Sequence, residues 1–126
     1  MPRPSARSSA AASPGAPCLG VHVSVAGGLA QAWAAARKLR LGCLQVFVKN
    51  QRQWRAPPLS DAALADWFAA PRPRGCGPVV AHASYLVNLA SADRPLWERS
   101  RAALADELVR CDRLEIPYIV VHPGAA

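Results

Sequence analysis

No acidic residue precedes Asp61, whereas eight Lys and Arg residues do. Over all 126 residues the balance is 15 Lys and Arg against 8 Asp and Glu, a formal net charge of +7. That balance favours polyanions, of which nucleic acid is the commonest; a basic leader or an arginine-favouring genome gives the same count. The chain lacks any apolar run long enough to cross a bilayer, so no membrane partner is expected. It has no G-x-S-x-G elbow, no P-loop and no dinucleotide glycine fingerprint, and the chemistries those signatures carry are not indicated. Its four cysteines, Cys18, Cys43, Cys76 and Cys111, include no C-x-x-C pair. A zinc knuckle or redox motif is therefore not indicated, and buried free thiols in a reducing compartment are expected.

What the chain does contain is a core-forming composition, 52% hydrophobic and 18% charged, in a length that suits one modest domain. Residues 1–17, MPRPSARSSAAASPGAP, are rich in Ala, Ser, Pro and Arg without apolar periodicity and read as a disordered leader. The leader shares the Arg-rich, Ser-rich, acid-free look of an organelle transit peptide, although its prolines argue against a clean amphipathic helix. Beyond it, four short apolar strand candidates run into polar residues: 19–24, 44–50, 78–82 and 118–124. Helical patterns separate them. Leu29, Ala32, Trp33, Ala36 and Leu39 recur at helical spacing, with Gly42 as the stop. Ser60 reads as the N-cap of a second helix that buries Leu64, Trp67 and Phe68. Leu96, Ser100, Ala103, Leu104, Leu108, Cys111 and Leu114 form one face of a third, with charges opposite.

This β-α repeat predicts an α/β fold with a parallel sheet, either doubly wound or half of an eight-stranded βα barrel; the pattern alone leaves both open. In both, the loops at the C-terminal strand ends carry the chemistry. His82 and His122 close two of the strand candidates and are expected side by side on that rim. Imidazole is a common zinc ligand, but zinc normally takes four donors, and a rim histidine also serves simply to bond a loop. His22 alternates with Ser24 and points to the same sheet face. Segment 49–55 mixes cations, amides and Trp54, a composition suited to phosphates and base edges or to an ordinary solvated loop. Tyr85 and Leu86 follow His82 and can fill a gap in a base stack or tuck onto the barrel top.

Four strings together are more specific than any of these signals: GVHVSVAGGL from Gly20, KNQRQWRA from Lys49, HASYLVNLA from His82 and HPG from His122. In order and spacing they resemble the endonuclease IV family of apurinic/apyrimidinic endonucleases, over the chain from Leu19 onward. The resemblance implies a partial (β/α)8 TIM barrel: a disordered leader over residues 1–17, then residues 18–126 as a truncated N-terminal half with the first four strands and three helices. It implies base-excision repair by hydrolysis of the phosphodiester 5′ to an abasic site, with a three-zinc cluster and double-stranded abasic DNA as partner. It further implies that His82 and His122 ligate one zinc, and that Arg52, Gln53, Tyr85 and Leu86 meet the DNA. His22 lies nearby in that picture, either supporting the metal ligands or touching the substrate. The implied location is intracellular: cytoplasm or nucleoid in a bacterium, nucleus or mitochondrion in a eukaryote.

The family's remaining ligands come from later strands. The full zinc cluster is therefore not expected in this chain, nor is efficient cleavage by it alone. Its open sheet edges call for self-association or for the missing C-terminal half. The alternatives are a non-catalytic abasic-DNA-binding remnant and a sugar-isomerase-like metal-dependent barrel.

Overall fold

A computed structural model describes residues 18–126. The leader and transit-peptide readings of residues 1–17 lie outside the described residues. Seven elements alternate: β1 (Gly20–His22), α1 (Gln31–Leu39), β2 (Cys43–Val46), α2 (Asp61–Ala69), β3 (Val79–His82), α3 (Arg94–Arg113) and β4 (Tyr118–Val120). The strands form one parallel sheet in the order β1-β2-β3-β4. A doubly wound sheet reverses its order at a switch point; this one does not, and its winding is that of a βα barrel.

The helices cover one sheet face. Leu44 and Val46 of β2 and Val79 and Ala81 of β3 join Trp33 and Ala36 of α1, Trp67 of α2 and Cys111 of α3 in one buried cluster. Trp33 and Trp67 meet at its centre with ring centroids 4.8 Å apart. The Trp67 indole donates to the Leu114 carbonyl at 3.1 Å, which fixes α2 against the end of α3. Side chains alternate along a strand, so residues between the buried ones, such as Cys43, Gln45, Val80 and His82, face away from the helices and are only half-buried.

Local chemistry sets the ends. Gly27 and Gly28 hold φ of 86° and 124° in the β1–α1 turn, a conformation that side chains resist. Ser60 caps α2 as expected, its hydroxyl accepting the Ala63 N–H at 3.1 Å. The first helix stops differently from expectation. Arg40 takes the left-handed cap position at φ 53°, while Gly42 lies where β1 and β2 approach, donating to the Leu19 carbonyl at 2.9 Å.

Several expected core residues are outside. Leu39, Phe68 and Leu108 are exposed, because the sheet is narrow and each helix buries only a thin stripe against it. On α3 that stripe runs through Ser100, Ala103, Glu107, Arg110 and Cys111, so two charges expected on the solvent face are buried. The thiols also depart from expectation: Cys111 is buried, Cys43 and Cys76 are half-buried, and Cys18 is exposed. No helix among the described residues is long and apolar enough to cross a membrane.

Candidate metal and nucleic-acid site

Parallel register carries three histidines to one end of the sheet. His22 closes β1 opposite Gln45, and His82 closes β3 opposite Val120. β4 ends at Val120, well short of the end of the 118–124 candidate, and His122 follows it in the loop. The loop is not free. Pro123 accepts the N–H groups of Leu89 and Ala90 at 2.9 and 3.0 Å, and the Asn88 side-chain amide donates to Ala125 at 2.9 Å. Asn88 thus ties the β4 rim to the β3 rim and holds His122 beside His82, with ring centroids 5.1 Å apart.

His22 stands lower. Its level is that of Gln45 and Val80, two residues behind His82 along the strands. Phe47, the first residue past β2, fills the step between them, 4.4 Å from the His22 ring and 5.6 Å from the His82 ring. Its position follows from period-two alternation, Cys43–Gln45–Phe47, a signal present in the sequence but not exploited there.

Hydrogen bonding sets the histidine tautomers. The His82 Nδ1 lies 2.7 Å from the Ala83 carbonyl, which can only accept. Nδ1 therefore carries a proton, which in the neutral ring leaves Nε2 its lone pair, the arrangement typical of a ligating imidazole. His22 Nδ1 meets the Gln45 side-chain oxygen at 2.9 Å in the same sense. His82 with its Nε2 open, beside the His122 ring, suits part of one zinc shell, which normally takes four donors. Among the described residues no group of three or more His, Cys, Asp or Glu is arranged to hold an ion. The donor set for a multi-ion cluster is thus not supplied by residues 18–126.

The residues expected to meet DNA lie on two adjoining loops. Arg52 and Gln53 are exposed on the loop after β2, where the Asn50 side chain accepts the Arg52 N–H at 2.9 Å. Tyr85, 69% exposed, stands over His82 and Phe47 with centroids at 5.7 and 5.4 Å. Leu86 beside it is half-buried. The two loops are joined: the Ser84 hydroxyl donates to the Gln51 carbonyl at 2.7 Å. Trp54 anchors its loop, its ring facing the Arg99 guanidinium at 5.2 Å.

Lys49 does not face solvent. Its ammonium lies 3.7 Å from Glu107 and 3.7 Å from Asp106 of α3 and donates to the Trp54 carbonyl at 3.2 Å. Burial pushes the Glu107 carboxyl above its ordinary range, against the opposing pull of the Ser84 N–H and of Lys49. Sequence reasoning missed Glu107, since on a helix map it is one more charge among many.

The fold and rim have counterparts among known proteins. The model of the xylose isomerase-like TIM barrel family matches residues 33–126. "Probable endonuclease 4" of Chloroflexus aggregans is 45% identical over 109 residues, which cover 86% of this chain and 38% of that protein. "Probable endonuclease 4" of Thermoplasma acidophilum is 44% identical over 107 residues, again 38% of its own length. The crystal structure of endonuclease IV from Thermus thermophilus superimposes with a TM-score of 0.78 at 44% identity, covering 86% of this chain and 40% of that one. The chain thus spans about two fifths of the length of these relatives.

Proposed function

The chain belongs to the xylose isomerase-like TIM barrel family, and from that premise we propose that its rim is the DNA-engaging, zinc-ligating part of an apurinic/apyrimidinic endonuclease acting in base-excision repair. The relatives named endonuclease 4 support the family-level reading. One observation carries the site: His82 at the end of β3 and His122 in the loop after β4 lie 5.1 Å apart by ring centroids, beside a loop pair rich in cations and aromatics.

In this reading His82 and His122 ligate one zinc ion. His22, held by Gln45 a step below, faces the same space and supports the ligands or touches the substrate. Zinc, when bound, supplies Lewis-acid charge beside the scissile phosphodiester 5′ to the abasic site. The remaining work falls to the chain. Arg52 neutralises backbone phosphate, Gln53 bonds to sugar or base edges, and exposed Tyr85 with Leu86 fills the space left by a flipped abasic nucleotide. Because the described residues supply two imidazoles and no carboxylate cluster, they bind abasic duplex without cleaving it efficiently by themselves. The non-catalytic binding reading therefore describes this segment, and the hydrolytic one describes the family.

The test pairs metal analysis with an abasic-site assay. The purified chain is expected to hold less than one equivalent of zinc, to bind abasic duplex with an affinity that falls as salt rises, and to nick it negligibly. Stoichiometric zinc with chelator-sensitive nicking refutes the division of labour. Preference for an aldose over abasic duplex refutes the nucleic-acid reading and returns the barrel to sugar chemistry.

A further inference from the structure

We infer that Lys49 and Glu107 are positioning residues, a buried ion pair that holds both rim loops in the shape in which Arg52, Gln53, Tyr85 and Leu86 meet DNA. The inference rests on the nucleic-acid reading above and adds the device that fixes its contact residues.

The two side chains are 1% and 2% exposed, with nitrogen and oxygen 3.7 Å apart. A buried pair of this kind is a poor source of stability, because desolvating two charges offsets most of their attraction. Its placement is informative instead. Both Glu107 oxygens accept the Ser84 N–H, at 3.1 and 3.2 Å. Ser84 passes the constraint on twice: its hydroxyl donates to Gln51 at 2.7 Å and accepts the Leu86 N–H at 3.2 Å. Lys49, at the other end of the pair, donates to Trp54 at 3.2 Å. Arg52 and Gln53 therefore sit between two anchored carbonyls, those of Gln51 and Trp54. Tyr85 sits between two anchored amides, those of Ser84 and Leu86.

A second layer backs the first. Arg110, on the same helix, pairs with Asp106 at 2.9 Å and donates to the carbonyls of Ala56 and Pro57 at 3.1 and 2.7 Å. The contact tips stay exposed while the backbone beneath them is fixed from α3. A loop already held in its bound shape loses less entropy on binding.

The test uses the whole chain. Binding of an abasic duplex is followed by fluorescence anisotropy across a salt series, for the wild type, Glu107→Gln, Ser84→Ala and the paired variant Lys49→Met/Glu107→Gln, with the folded fraction of each read by circular dichroism. Folded Glu107→Gln is expected to bind about tenfold more weakly, through lost preorganisation. Its plot of log K against log salt should flatten by about 1, as follows when one phosphate is no longer neutralised. A purely structural role lowers the active fraction and leaves that slope alone. Ser84→Ala keeps the ion pair and breaks the link between the loops; it should show the same flattening, and it decides the matter if Glu107→Gln does not fold. The paired variant leaves no lone buried charge and should still bind weakly. Wild-type affinity and slope in folded Glu107→Gln or Ser84→Ala overturn the inference. Failure of the wild type to bind abasic duplex overturns the proposed function beneath it, and that result is visible before any variant is compared.

Discussion

The two faces of this one sheet are built from the same four strands and have opposite characters. The helix-covered face is a finished core: Leu44, Val46, Val79 and Ala81 are buried against the Trp33–Trp67 pair. The other face carries His22, Gln45, Phe47, Val80 and His82 and is closed by no layer among the described residues; Val120 on it is 40% exposed. Alternation with period two means that each strand serves both at once. Stability is concentrated on one side and chemistry on the other, so substitutions on the two sides should separate cleanly.

The largest separation is expected between two aromatic truncations. Trp67 is 1% exposed and ties α2 to α3 through Leu114, so Trp67→Ala should cost about 3–5 kcal/mol. Phe47 is half-buried among rings on the open face, and Phe47→Ala should cost about 1 kcal/mol. Urea unfolding followed by circular dichroism reads both. Equal losses would mean that the open face is covered in solution, by a second copy or another partner, and the contrast would dissolve.

A smaller effect divides stability from ligation. His122 is exposed, so His122→Ala should move the unfolding free energy by no more than about 0.5 kcal/mol. The same change should weaken zinc binding, measured by titration calorimetry, by about tenfold or more, as does loss of groups that build a metal site. Zinc affinity unchanged by His122→Ala sends the ligand assignment elsewhere on the rim.

How much of this was readable beforehand follows the same division. Features set by local chemistry were legible: the Ser60 cap, the strand–helix alternation, the Ala32–Trp33–Ala36 stripe and His82 at the end of its strand, whereas His122 lies past the end of β4. The β-α pattern alone left the winding open, because strand order is a property of the assembled sheet; the resemblance of the four strings implied the barrel, and the sequential order and one-sided helices bear it out. Glu107 and Arg110 were misread as solvent-facing, since a charge is buried only where distant partners meet it, here Ser84 and Lys49 for one and Ala56 and Pro57 for the other. Leu39, Phe68 and Leu108 were misread in the opposite sense. An apolar residue at helical spacing is drawn inside only if the sheet is wide enough to receive it.

The finest probe of the two faces is the pair of thiols Cys43 and Cys111. Both are pushed up to about 11, for different reasons. Cys43, on the open face, is raised chiefly by its contact with Cys18, whose backbone carbonyl accepts its S–H at 3.5 Å, then by burial. Cys111, within the core, is raised chiefly by burial, with the Glu107 carboxylate adding to it. A raised thiol pKa means less thiolate at a given pH, and thiolate is the form that alkylates. In the native chain near pH 8 both should therefore react slowly with iodoacetamide. Cys43 should gain reactivity as pH climbs toward 11, whereas Cys111 should wait for unfolding because reagent cannot reach it. Cys18→Ala removes the neighbouring thiol from Cys43 and changes nothing around Cys111. It should lower Cys43 toward the ordinary value of 9.0 and speed its labelling, about tenfold for each pKa unit recovered below both values. Peptide mapping by mass spectrometry reads each site separately. If Cys111 accelerates with Cys43, the core opens as readily as the open face, and the two faces are not energetically distinct.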